Sequence, residues 1–263
     1  MGLMELLVGQ VTAPSTTLTA LTMNSGNSLT VRNTSPQATI MLMQVWVDNQ
    51  AAGTFRVRGP EFHDNVQGMR FDITASEVDP LIPWGITEKL KPQQTIIAEL
   101  SGSGTAADIE SAALLLYYSD IPGLTGRYIT PEEVTRRKES LMTVENTLSL
   151  GTAGGYSGEE AINAEFDLWE ANRDYALVGY LVDGEAAAIR WRGTDTGNLG
   201  IGGPGNEVDR QLTNNWFAML SKTYGMPLIP VFNSANKASI LIDGHQDENG
   251  TDVTVTSIFA LLT

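Results

Sequence analysis

Apolar and polar positions along this chain fall into short runs that predict strands. Residues 29–31, 39–47 and 54–58 are rich in β-branched and apolar side chains and are separated by clusters of Asn, Gly, Pro and Ser. That is the composition of strands divided by turns. Later runs at 95–100, 112–118, 239–243 and 253–262 are nearly continuous in apolar residues. The polar stretches 101–108 and 244–252 read as the turns joining each pair. Short strands with turn signals every ~8–12 residues predict an antiparallel sandwich or barrel. Two segments have helical spacing. In 130–142, Thr130 is an N-cap, Pro131 suits the first turn and Glu133 completes a capping box. Its acidic residues come first and its basic ones last, which complements the helix dipole. In 207–220, Val208, Leu212, Trp216 and Met219 or Leu220 form one apolar stripe.

The pattern occurs twice. Val47-Asp48-Asn49, Arg56-Val57-Arg58-Gly59, Glu77-Val78-Asp79 and Pro80-Leu81-Ile82-Pro83 appear in the first half. Val182-Asp183-Gly184, Arg190-Trp191-Arg192-Gly193, Glu207-Val208-Asp209 and Pro227-Leu228-Ile229-Pro230 follow in the same order in the second. Each half then closes on two apolar strands. A unit of this length is too long for a solenoid repeat and matches a small domain. Asp183-Gly184 reads as a tight hairpin turn. The paired arginines sit on one strand face, with Val57 or Trp191 on the other. Pro-Leu-Ile-Pro is expected at an edge or crossover, because proline donates no ladder hydrogen bond. The predicted boundaries are 1–125 for the first domain, with an N-terminal arm at 1–20, then 126–148 for a helical linker and 149–263 for the second domain.

Composition narrows the chemistry. The 263 residues contain no cysteine, so thiolate metal sites, disulfides and cysteine nucleophiles are excluded. The net charge of −15 repels phosphate backbones and argues against direct nucleic-acid binding. No apolar run reaches the ~18–20 residues that span a bilayer, and the N-terminus lacks the basic start of a signal peptide.

Gly200, Gly202 and Gly205 fit a dinucleotide fingerprint, but no apolar strand precedes them, so the segment reads as a surface loop. His63 and His245 lie in polar stretches without nucleophile or zinc spacing. Asp243, Asp247, Asn249 and Asp252 crowd one turn with oxygen ligands suited to calcium. Their spacing is not that of an EF-hand, and Asn249-Gly250 favours a plain tight turn. No catalytic residue and no cofactor are assigned.

Tandem antiparallel sandwiches, a linker helix and a helix inserted late in the second unit resemble the double jelly-roll major capsid proteins of tailless icosahedral, membrane-containing bacteriophages. The resemblance is architectural, spans roughly 20–263, and lacks a counterpart of the inserted helix in the first unit. It implies an all-β chain of two eight-stranded jelly rolls and a structural role without enzymatic activity. It also implies homotrimeric capsomers of pseudo-hexagonal outline in an icosahedral shell. The implied location is the virion. The implied partners are other copies of the chain, neighbouring capsomers, minor capsid or penton proteins and an internal membrane. Two alternatives remain open. One is a two-module carbohydrate-binding or adhesion protein stacking sugars on Trp46, Trp84, Trp169, Trp191 or Trp216. The other is an enzyme on a cupin-like scaffold.

Overall fold

The computed structural model describes residues 2–12, 15–23, 29–62, 66–74, 80–105, 109–150, 156–206, 210–245 and 252–263. The first half contains β1 (Leu3–Thr12), β2 (Thr19–Ala20), β3 (Thr22–Met23), β4 (Leu29–Thr30), β5 (Ile40–Asp48), β6 (Gly53–Arg58), β7 (Met69–Ile73), β8 (Glu88–Leu90), β9 (Thr95–Ser101) and β10 (Ile109–Tyr118). The chain continues through β11 (Tyr128–Ile129), α1 (Pro131–Arg137), β12 (Lys138–Leu148), β13 (Tyr156–Ala161), β14 (Asp174–Asp183), β15 (Glu185–Arg192) and β16 (Ile201–Asn206). It ends with α2 (Arg210–Thr213), α3 (Trp216–Tyr224), β17 (Ile229–Asn233), β18 (Leu241–His245) and β19 (Val253–Leu262). The protein is all-β, and its described residues form four antiparallel sheets. Among the described residues no helix is long and apolar enough to cross a membrane.

The first half builds a sheet of order β3-β1-β10-β5-β8 and a second of order β2-β9-β6-β7, with β4 also on β9. The second half builds β11-β17-β14-β19-β12 and β13-β18-β15-β16. Strand for strand, β1-β10-β5-β8 matches β12-β19-β14-β17, and β2-β9-β6-β7 matches β13-β18-β15-β16. Register agrees as well. Asp48 lies opposite Ser111 and Asp183 opposite Thr254. A bulge adds one residue, Met43, to β5 and one, Val178, to β14. Both bulge residues stand five positions before the aspartate that ends the strand.

The expected hairpin at Asp183-Gly184 does not form. β14 and β15 belong to different sheets, and Gly184, at φ 112°, swings the chain from one to the other. Both edges of β14 are already taken by β17 and β19, so β15 has no ladder to join there. The same holds for β5 and β6. Local turn chemistry marks a reversal but not the partner the next strand finds.

Three expected boundaries move. Within the expected arm, residues 3–12 pack on the chain itself as a strand: β1 pairs along its whole length with β10 and is largely buried. The linker helix is shorter than its pattern. Its capping box forms, with Thr130 Oγ1 accepting from the Glu133 N–H and Glu133 Oε2 accepting from the Thr130 N–H. It ends at Arg137, and 138–148 becomes β12, the partner of β19. Val144, Asn146 and Leu148 are buried at strand spacing, so pairing with β19 overrides helical propensity. The expected linker 126–148 thus contains a strand that pairs with the last strand of the second half. The second helix is also divided. Residues 207–209 lie outside the described residues, and Asn214-Asn215 separates α2 from α3.

Pro230 lies inside β17, contrary to the expectation for its motif. It stands one residue before the ladder to β14, which begins at Val231, and its outer neighbour is the two-residue β11. The missing N–H thus falls outside the β14 ladder.

Candidate functional site

The duplicated Arg-x-Arg motif does the same job in each half. In β6, Arg56 stands opposite Glu99 of β9; in β15, Arg190 stands opposite Asp243 of β18. Arg56 Nε is 2.6 Å from Glu99 Oε2, and Arg58 adds bonds of 3.0 and 3.2 Å to the same carboxylate. Arg190 grips Asp243 with two bonds of 2.8 and 2.5 Å. Arg192 pairs with Glu159. Arg56, Arg58 and Arg190 are therefore cross-strand clamps on buried carboxylates, while the Arg192–Glu159 pair is exposed.

Burial by itself would raise the Glu99 carboxyl, but the two guanidinium hydrogen bonds win and hold it below the ordinary value of 4.5. The folded chain binds that proton more weakly than the unfolded one. The stabilisation is thus full at neutral pH and fades as pH falls through and below the ordinary carboxylate range. Urea midpoints of wild type and Glu99→Gln should differ most near pH 7 and converge as the pH falls below the ordinary carboxylate range; a gap independent of pH would contradict the assignment.

The two halves meet over a continuous apolar core. The Leu6 N–H of β1 donates to Gly200 O across 2.8 Å. A Cβ on Gly202 would lie 2.9 Å from Leu6 Cδ2 and one on Gly203 would strike Tyr180 and Trp216. The glycine-rich segment is therefore a buried strand and not a surface loop, because only glycine lets β16 pass between these neighbours. Pro204 sits where β15 bulges, and its carbonyl accepts from Tyr180 Oη at 2.7 Å. The same irregularity of β15 includes Ala187, whose carbonyl accepts from Trp46 Nε1 of the other half at 3.2 Å.

Helix α3 spans the junction. Trp216 donates Nε1–H to Gly202 O at 2.9 Å and meets both Trp46 and Trp84 edge-on, at centroid distances of 5.7 and 5.9 Å. At the far end, Tyr224 Oη donates to Met43 O at 2.6 Å. Met43 is the bulge residue of β5. The break before α3 rests on the matching bulge of β14, where a Cβ on Gly179 would come within 2.2 Å of Asn214 O. The inserted helix is thus held between two equivalent bulges, one from each half.

Residues singled out in the sequence scatter across this frame. His63 lies outside the described residues, while Glu61 pairs with Lys91. His245 is in β18 rather than a polar loop, fully buried and edge-on to Tyr156 at 5.2 Å. Asp243 is in the same strand, committed to Arg190; Asp252 is exposed before β19; Asp247 and Asn249 lie outside the described residues. Among the described residues no group of three His, Asp or Glu is placed to hold a metal ion. Trp46, Trp169, Trp191 and Trp216 are buried, which removes them as sugar platforms; Trp84 is 37% exposed.

Sequence reading missed two polar clusters. Glu5 takes bonds from Arg32 at 2.8 Å and Tyr118 Oη at 2.9 Å. A charge inside the apolar run 3–8 was the available signal, since a buried carboxylate needs partners. Asp174 takes Arg127 at 2.5 Å and Asn233 at 2.8 Å. Against the opposing effect of burial, these bonds hold its carboxyl below the usual range. They tie the 119–137 connection to β14 and β17.

No family model matches the chain, and no curated protein matches it in sequence. Among solved structures, the PBSX exported protein XepA aligns at a TM-score of 0.20 and 10% identity, over 92% of this chain and 86% of its own. The major capsid protein P2 from bacteriophage PM2 aligns at 0.21 and 7% identity, over 100% of this chain and 98% of its own.

Proposed function

We propose that this protein is a structural subunit of a virion, a double jelly-roll capsid protein assembling through closed homotrimers. The observation that carries the reading is the duplication: two halves with one strand order, one register and one bulge position. Counting β1, β2 and β5–β10 as eight positions, the sheets run 1-8-3-6 and 2-7-4-5, the order that two interlocked Greek keys produce. A chain of two unequal barrels offers two different sides. Three copies joined side to side would close a ring of six barrels, since a head-to-tail contact closes when its rotation does. The acidity of the chain suits a layer held away from the genome. In this reading the work of the chain lies in its faces and not in a reactive pocket. Neighbouring capsomers, minor vertex proteins and an internal membrane are its proposed contacts.

The face we assign to assembly is the outer edge of β12, which has no strand partner on that side among the described residues, together with the segment that lies along it. The segment after β13 is tied to that edge at both ends, by the Thr147 N–H on Glu165 and by the Arg173–Glu139 pair. Leu141, Phe166 and Leu168, on the strand and this segment, are 61%, 50% and 57% exposed. The hydrophobic effect favours covering apolar side chains this exposed. Light scattering after gel filtration should give three times 28.4 kDa, about 85 kDa. The double variant Phe166→Glu/Leu168→Glu should give single chains with unchanged circular dichroism. A wild type that stays monomeric at all concentrations would overturn the capsomer reading. Trimers that survive the double variant would remove this face from it.

A further inference from the structure

A cavity of about 270 Å³ opens where the two halves meet. Its wall takes Glu5 and Arg32 from the first half and Tyr156, Arg190, Arg192 and Asn198 from the second. Three arginines thus converge on one space in a chain with only 16 basic residues. Each arginine already pairs with a carboxylate: Arg32 with Glu5, Arg190 with Asp243 and Arg192, through its terminal nitrogen, with Glu159. Both Glu5 oxygens accept, one from Arg32 and one from Tyr118, and both Asp243 oxygens accept from Arg190. Arg190 also lies 3.5 Å over the Tyr156 ring, which fixes both side chains.

Two buried polar atoms on this wall have no partner among the described residues: Arg192 Nε and Tyr156 Oη. An arginine Nε–H can only donate, and a phenol donates as readily as it accepts. Buried donors without acceptors are costly, so the space asks for an acceptor. We propose that the cavity is a binding site for a small oxyanion, a phosphate or carboxylate group, held by Arg192 Nε–H and Tyr156 Oη–H beside the Arg32–Glu5 and Arg190–Asp243 ion pairs. The site draws on both halves, so its ligand ties them together. It does not depend on the capsid reading.

Isothermal titration of the full chain with inorganic phosphate, and separately with acetate, at constant ionic strength adjusted with chloride, tests the assignment. We expect one saturable event per chain with phosphate or acetate, and the preferred anion distinguishes the phosphate from the carboxylate source. Tyr156→Phe and Arg192→Gln should each weaken binding about tenfold, the size of one charge-assisted hydrogen bond. No saturable heat with either anion, or equal affinity in wild type and both variants, overturns the proposal. Should a variant fold poorly, a crystal of the wild type grown in phosphate decides. Oxyanion density between Arg192 and Tyr156 supports the site; ordered water there, or an adventitious ion only, overturns it.

Discussion

Gly203→Val is expected to be among the most damaging single substitutions in this chain. A Cβ at position 203 would lie 2.2 Å from Tyr180 Oη and 2.7 Å from Trp216 Cε2. Neither ring has room to retreat. Tyr180 packs on Trp191 at a centroid distance of 4.8 Å and donates to Pro204 O. Trp216 is wedged against Trp46 and donates to Gly202 O. Valine must therefore overpack the core and break two buried hydrogen bonds together. We expect a loss of about 4 kcal/mol or more, read as a fall in melting temperature on the order of 10 °C. Gly104→Ala is the control: a Cβ there meets nothing within 4 Å, and its effect should stay within about 0.5 kcal/mol. Equal melting temperatures for wild type and Gly203→Val would show that β16 is not packed as described.

Trp216→Ala should cost about 3–5 kcal/mol, the usual range for deleting a buried tryptophan, and should also change the shape of unfolding. The indole is fully buried and belongs to both halves at once, touching Trp46 and Trp84 of the first and β16 of the second. Removing it empties the contact through which α3 joins them. We expect the wild type to unfold in one calorimetric transition and the variant in two, since units that lose their shared interface unfold independently. Phe217→Ala is the informative comparison. Phe217 is also fully buried but packs on Trp191 within the second half. It should destabilise without splitting the transition. A lone, symmetric transition in Trp216→Ala would mean that the other junction contacts suffice.

Much of this was legible in the sequence. The repeated Arg-x-Arg-Gly segments and the paired closing strands revealed the duplication, and the structure gives those segments equivalent places down to the residue opposite Arg56 and Arg190. The Thr130–Glu133 capping box was legible because its bonds are local. What failed were readings that took a local signal for a tertiary fact. Asp183-Gly184 has hairpin chemistry, yet the chain changes sheets there. The run 200–206 has the composition of a loop, yet it is a strand, because its neighbours crowd it. The oxyanion cavity was not legible at all. Arg32 and Arg192 are 160 positions apart, and no spacing rule connects them.

The sequence alone determined the strand-rich class, the two copies, the start of the first helix and the absence of thiol chemistry. Those follow from composition, alternation and hydrogen bonds between near neighbours. Only the tertiary structure decided which strands pair, where the linker helix gives way to a strand, why β16 must be glycine-rich and how α3 joins the halves. These depend on contacts between residues far apart in the chain, where the free edges of a sheet and the space left by a bulge choose the partner.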